Sequence, residues 1–276
     1  VEPHLAQYRE FWQTGIELLG ASGIRADAEV ISLAVKTMRE FGLDNFMVSL
    51  NQIGIFNGLL ADSVILPEDK VLIRKLVEKK DLVELPRMLD KLPIHDLLKE
   101  TIALLPTLHG GLEVFNRLPY LEKSPNTVQA VEELIAIYGA LQNMGVEQQI
   151  LVDLGVLRGL DYYTGVVFEG FSPDLGYGLL GGGRYDNLLS QFGFPCPATG
   201  FALGMDRLTL VLKNQIKEVP RYLVGGTDLQ AMVLEADVLR AEGKIVELDV
   251  EGLSRDKLAE KLSGRDNYTL IYIDAD

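Results

Sequence analysis

Sulfur chemistry is almost missing from this chain, whose 276 residues include a single cysteine, Cys196. A lone thiol leaves no internal disulfide and no multi-thiolate metal site, and it fits a reducing compartment. Histidine is nearly as scarce: His4, His95 and His109 have neither metal-ligand spacing nor cysteine neighbours, so no metal and no other cofactor is expected. Long apolar runs are lacking too. Every apolar stretch is short and broken by charge or glycine, and the start of the chain has no basic segment leading into an apolar one, so neither membrane insertion nor secretion has support. A cytoplasmic location is the expectation. Basic residues are in deficit, 26 Lys and Arg against 40 Asp and Glu, for a formal charge of −14. Phosphate contacts normally supply much of the affinity for nucleic acid, so a field of this sign disfavours such partners.

What is present is an ordinary globular composition, 47% hydrophobic and 24% charged, enough for one large core and a smaller unit. The chain opens on Val1 within a few residues of a motif and reads as part of a longer protein. Residues 8–20 mix aromatic and β-branched types and end in glycine, which predicts a strand. Val30, Ile31, Ala34, Val35, Met38 and Phe41 then recur at the spacing of one helix face over 27–41, with Gly42 as the stop. A second strand follows over about 45–50. From 53 to about 142 the sequence turns Leu-, Lys- and Glu-rich with helical periodicity, punctuated by Pro67, Pro86, Pro93, Pro106, Pro119 and Pro125. Strand character returns with ILVDLGV, DYYTGVVFEGF, YGLLGGGRYDNLL and ATGFALGMDRLTLVL, which implies an antiparallel sheet. After Pro220, short apolar strands alternate with helices, the pattern of a small parallel βαβαβ unit of about 55 residues.

Four segments carry chemistry. On a strand, Phe11, Gln13, Gly15 and Glu17 share one face, while Trp12, Thr14, Ile16 and Leu18 share the other and read as a core face. An amide and a carboxylate flanking a glycine leave room for a small ligand against the backbone; the same groups could equally pair among themselves or with the helical segment. In RGLDYYTGVVFE, Arg158 precedes what reads as a strand carrying Asp161, Tyr162, Tyr163 and Glu169. The arginine fork suits a carboxylate or phosphate, and adjacent tyrosines on a strand would point to opposite faces. GGGRYD, 181–186, weakens a strand unless a ligand or another chain segment approaches closely. It lacks the GK[ST] or GxGxxG-helix context of a phosphate loop. GFALGMDRL, 200–208, is a strand entering a helix with Arg207 near the turn, where helix-surface charge is the alternative to a ligand role.

Taken in order, YREFWQTGIELLG with ADAEVISLA, RGLDYYTGVVFE, GGGRYDNLL and ATGFALGMDRL resemble the second class II aminoacyl-tRNA synthetase motif, the two histidine-binding motifs and the third motif of the histidyl-tRNA synthetase family. The resemblance covers nearly the whole chain. It implies an α+β fold: a synthetase-like antiparallel sheet with helices in 1–52 and 146–218, a helical insertion in 53–145, and a short anticodon-binding-like α/β domain in 219–276. It implies that Gln13 meets the amino group of bound histidine, and that Glu17 and Tyr163 hold the imidazole. Arg158 would sit beside the carboxylate, and Tyr162, Gly182, Gly183 and Tyr185 would line the site. Arg207 matches the motif-three arginine that holds ATP, here as a vestigial nucleotide site.

Two branches of the family share these motifs: the synthetases, and regulatory subunits that have lost aminoacylation and partner a short-form ATP phosphoribosyltransferase in histidine biosynthesis. LPRMLDKLP and LLPTLHGGLEVF stand where synthetases carry a basic tRNA-serving stretch, GMDRL stands where synthetases have Glu before Arg, and PCPATGFALG resembles the regulatory form. With the charge of −14, these favour the regulatory branch. That branch implies no catalytic residue, L-histidine as ligand, a catalytic-subunit partner, a homodimer within a hetero-oligomer, and no tRNA. The retained Arg158 and Arg207 keep the synthetase as the alternative.

Overall fold

The computed structural model describes residues 10–61, 63–157, 162–212 and 219–274. The chain divides into two compact units, Val1–Leu212 and Lys213–Asp276. In the first, strand β1 (Gln13–Leu19) leads into helix α1 (Ile24–Glu40) and strand β2 (Met47–Gln52). Helix α1 buries Val30, Ile31, Ala34, Val35 and Met38, the stripe its 3.6-residue period predicts. The chain turns out of it at Gly42, whose φ of 81° is the left-handed conformation that glycine adopts without strain.

Helices α2 (Ile53–Ala61), α3 (Pro67–Glu78), α4 (Glu84–Asp90), α5 (Asp96–Leu104) and α6 (Pro125–Asn143) follow, with the two-residue strand β3 (His109–Gly110) between the last two. Pro67 and Pro125 open their helices, where a missing N–H costs nothing. His95 caps α5, its Nδ1 accepting from Leu97 N at 3.1 Å, so this histidine serves the backbone. The helical segment shares one core with the sheet: Ile73, Leu85, Ile102 and Leu134 belong to the same buried cluster as Val152 and Phe168.

Strands β4 (Ile150–Asp153), β5 (Val166–Phe171), β6 (Gly178–Arg184) and β7 (Ala198–Gly204) complete the sheet before helix α7 (Met205–Val211). Its order is β1-β7-β6-β5-β2-β4-β3, antiparallel throughout except for the β2–β4 pair. Side chains alternate across it. One face carries Leu203, Leu180 and Val48, then Phe201, Phe168, Leu50 and Val152, all buried. Helix α1 covers this face, since a Cβ on Gly170 would meet the Met38 sulfur at 3.1 Å. The opposite face carries the candidate site; it is open at its β1 edge, where Gln13 and Glu17 are exposed, and buried at Val167, Asn51 and Ser49.

The core face expected of β1 is a correction. Leu18 packs on the core, but Trp12 is 71% and Ile16 36% exposed. Alternation sorts residues between faces, yet a face is buried only where neighbours cover it, and among the described residues β1 is the outermost strand with β7 alone beside it.

The second unit contains β8 (Arg221–Gly226), α8 (Leu229–Ala241), β9 (Ile245–Leu248), α9 (Arg255–Lys261) and β10 (Tyr268–Ile273). Its three strands are parallel in the order β10-β8-β9, around a small core of Val224, Met232 and Ala236. Asp228 caps α8, accepting from Gln230 N at 2.9 Å and Ala231 N at 3.1 Å. Removing such a cap costs about 1 kcal/mol. Asp228→Ala is therefore expected to lower the denaturant midpoint of this unit without altering the first, followed by amide exchange in α8; unchanged protection there would show the cap to be dispensable. No helix among the described residues is long and apolar enough to cross a membrane.

Candidate ligand site

On the open face the strand register brings Glu17, Gly200, Gly183, Val167 and Asn51 into one row, and Gly15, Ala202, Gly181, Glu169 and Ser49 into the next. Across β1, β7 and β6 these rows hold only glycine and alanine apart from Glu17, so the strands form a low floor with a carboxylate at its edge. The floor needs glycine for reasons internal to the fold. A Cβ on Gly200 would overlap the Glu17 carboxylate, and one on Gly183 would come within 2.7 Å of the Tyr163 ring. At Gly15 a Cβ would overlap the Phe201 carbonyl oxygen, so this glycine answers a close strand neighbour.

Three tyrosines wall the floor. The Tyr185 hydroxyl donates to Glu17 Oε2. Tyr162 and Tyr163 have ring centroids 4.6 Å apart, and Tyr162 meets Tyr185 edge-on at 5.8 Å. Opposite orientations for the first two would require a strand through them. The strand begins only at Val166, and in the preceding loop the two rings turn to the same side and pack together. Burial, and then the hydrogen bond and charge of Glu17, push the Tyr185 hydroxyl above its ordinary value, so it remains a donor at neutral pH.

The other expected residues fall as follows. Gln13 is exposed on the same face of β1, opposite Gly204. Gly182 lies on the covered face, in register with Phe201 and Phe168, because alternation sends every second residue of β6 to the core. Arg207 is exposed at the start of α7; its Nη1 donates to the Gly178 carbonyl at 2.7 Å and the guanidinium lies 5.9 Å from the Tyr177 ring centroid. Arg158 and Asp161 lie outside the described residues. Beyond the floor the open face continues into a cavity of about 610 Å³ lined by Ser49, Asp153, Glu169 and Tyr177, among others, with Lys80 Nζ paired to Asp153 Oδ2 at 2.9 Å.

A buried charge cluster behind the floor escaped sequence reasoning. Arg184 Nε donates to Asp27 Oδ1 at 2.9 Å and Oδ2 at 3.0 Å, and its Nη1 donates to Asp186 Oδ1 at 2.8 Å. Burial pushes the Asp27 carboxyl up, only partly offset by the hydrogen bond and charge of Arg184. Burial pulls the Arg184 guanidinium down, but the hydrogen bonds and charges of Asp27 and Asp186 together outweigh it and hold the group above its ordinary value. An arginine inside a glycine-rich strand, with acids at hand, was the available signal.

A family model described as histidyl-tRNA synthetase matches residues 2–208. The chain is 41% identical over 266 residues to an ATP phosphoribosyltransferase regulatory subunit from Moorella thermoacetica, covering 96% of this chain and 68% of that protein. It is 35% identical to a protein of the same description from Desulfitobacterium hafniense, covering 91% of this chain and 66% of that one. Among solved structures, an ATP phosphoribosyltransferase regulatory subunit/histidyl-tRNA synthetase from Bacillus halodurans is 30% identical, with a TM-score of 0.83 over 96% of this chain and 69% of that chain. A histidyl-tRNA synthetase from Nostoc sp. PCC 7120, at 21% identity, shares the fold with a TM-score of 0.84 over 97% of this chain and 68% of that one. The chain spans about two thirds of the length of these relatives.

Proposed function

The chain belongs to the histidyl-tRNA synthetase family, in its branch of ATP phosphoribosyltransferase regulatory subunits, and from this membership we propose that its open sheet face binds L-histidine to regulate a catalytic partner. The reading rests on one observation above all: a carboxylate, Glu17, held by the Tyr185 hydroxyl at the edge of a glycine floor and beside packed tyrosine rings. Imidazole offers an N–H donor at one ring nitrogen and an acceptor at the other, so a carboxylate and a phenol are its natural complements. Gln13, on the same face, serves the amino group, and Arg158 the carboxylate.

The partner is the short-form ATP phosphoribosyltransferase catalytic subunit, active only in the complex, and histidine is the feedback signal for this first step of histidine biosynthesis. The chain acts in the cytoplasm, as a homodimer within the hetero-oligomer. Such feedback requires histidine to bind two states of the complex with different affinity, since a ligand shifts an equilibrium only by that difference. Chemistry of its own is not part of the reading, and the net charge of −14 speaks against tRNA.

The test pairs two assays on the full-length protein. Stimulation of a short-form catalytic subunit, reversed by histidine, is the expected result. Robust histidine-dependent pyrophosphate exchange without stimulation would overturn the reading in favour of the synthetase, to which the retained Arg207 belongs.

A further inference from the structure

The geometry points to Arg184 as a positioning residue of the histidine pocket: from the covered face of the sheet it moors both partners of the Glu17–Tyr185 hydrogen bond. This rests on the histidine reading only for the identity of the ligand.

The case begins with alternation. Gly183 and Tyr185 serve the open face, so Arg184 between them must point through the sheet toward α1. There it is 8% exposed along its side chain and meets three separate segments. Its Nε takes both oxygens of Asp27, in the first turn of α1. Its Nη1 donates at 3.3 Å to the carbonyl of Ala21, in the turn after β1, four residues past Glu17. The same Nη1 donates to Asp186, one residue past Tyr185. Asp186 extends the clip, since its Oδ1 also accepts from Ala198 N at 3.1 Å and its own N–H donates to Thr164 Oγ1 at 3.0 Å. Thr164, next to Tyr163, gives its N–H to the Arg184 carbonyl at 2.8 Å. The guanidinium therefore fixes the chain beside Glu17 and Tyr185, while the Arg184 carbonyl and Asp186 N–H hold Thr164, beside Tyr163.

Only a planar fork reaches acceptors on three segments; lysine offers a point charge. Stability alone is a weak reason for such an arrangement, because a buried ion pair is often no more stabilising than an apolar replacement. Orientation of the groups on the other face is what the arrangement supplies.

The experiment uses the full chain labelled with 3-fluorotyrosine, with the Tyr185 fluorine resonance assigned through Tyr185→Phe. Asp27→Asn and Arg184→Lys are expected to shift that resonance with no ligand present. Asp27→Asn sits on α1, behind the sheet, and keeps the side chain's shape, so it carries the test if the arginine variant does not fold. In calorimetry, both variants are expected to weaken L-histidine by about five- to tenfold. The loss should be much smaller for the thiazole analogue of histidine, which has no ring N–H for Glu17, and the ratio of histidine to histidinol should hold. Equal loss for all three ligands, or an unmoved fluorine resonance in Asp27→Asn, overturns the assignment. If the unsubstituted protein binds no histidine, the functional reading fails by itself, and the ligand-free fluorine signal still decides whether Arg184 sets Tyr185.

Discussion

Replacing Glu17 by alanine is expected to weaken L-histidine binding by more than about tenfold, because a hydrogen bond to a charged group contributes roughly 1.5–3 kcal/mol and each 1.4 kcal/mol is a factor of ten. In the proposed site this carboxylate accepts from the imidazole N–H, and its loss also removes the hydrogen-bond partner of Tyr185. Glu17 is exposed in the free protein, so the fold itself has little at stake and the melting temperature should barely move. Glu17→Gln keeps an acceptor oxygen but not the charge, and should fall between alanine and the native residue. Calorimetry on the full chain decides; an affinity for histidine untouched by Glu17→Ala would remove this residue from the site.

The second large effect is on stability. A methyl group on Gly182 would lie 2.5 Å from Phe168 Cζ and 2.7 Å from Phe201 Cβ, and would overlap the Gly200 carbonyl oxygen. Phe168 is fully buried, and β6 is clamped between β5 and β7, so neither the ring nor the strands can step aside. Overpacking a close-packed core costs about 1–3 kcal/mol and sometimes more. With backbone among the clashing atoms, Gly182→Ala should reach the upper end, a fall in melting temperature on the order of 6–12 °C for a unit of this size. Histidine affinity should fall with it, since the floor residues Gly181 and Gly183 flank the distorted position. A melting temperature within a degree of the native value would mean that the two strands are less tightly held than their register implies.

These two positions differ in how much of their placement spacing along the chain decides. Glu17 was legible because strand alternation is local: with Gln13, Gly15 and Glu17 on one face, the polar set followed from spacing alone. The motif names Gly182 and Gly183 together, yet adjacent strand residues serve opposite faces, and the register with Phe168 shows that Gly182 is the one that looks at the core. Alternation does not govern Tyr162 and Tyr163, because the strand starts only at Val166 and the two rings lie in the loop before it. The helix over α1, the proline-opened helices and the parallel βαβαβ unit all followed from patterns that a window of a dozen residues contains.

Sequence alone thus determined the type and order of the elements, the motifs that carry the family, and the acidic balance that speaks against nucleic acid. Tertiary structure decided which strand face is covered, how the tyrosines stack on one another, and that Arg184 holds Asp27 across 157 residues of chain. The reason is range. Periodicity is written by neighbours along the chain, whereas burial depends on what the folded sheet brings alongside. β1 has the alternation of a half-buried strand yet lies at the edge with Trp12 uncovered, and an arginine in a run of glycines shows its purpose only when a distant helix supplies the carboxylate.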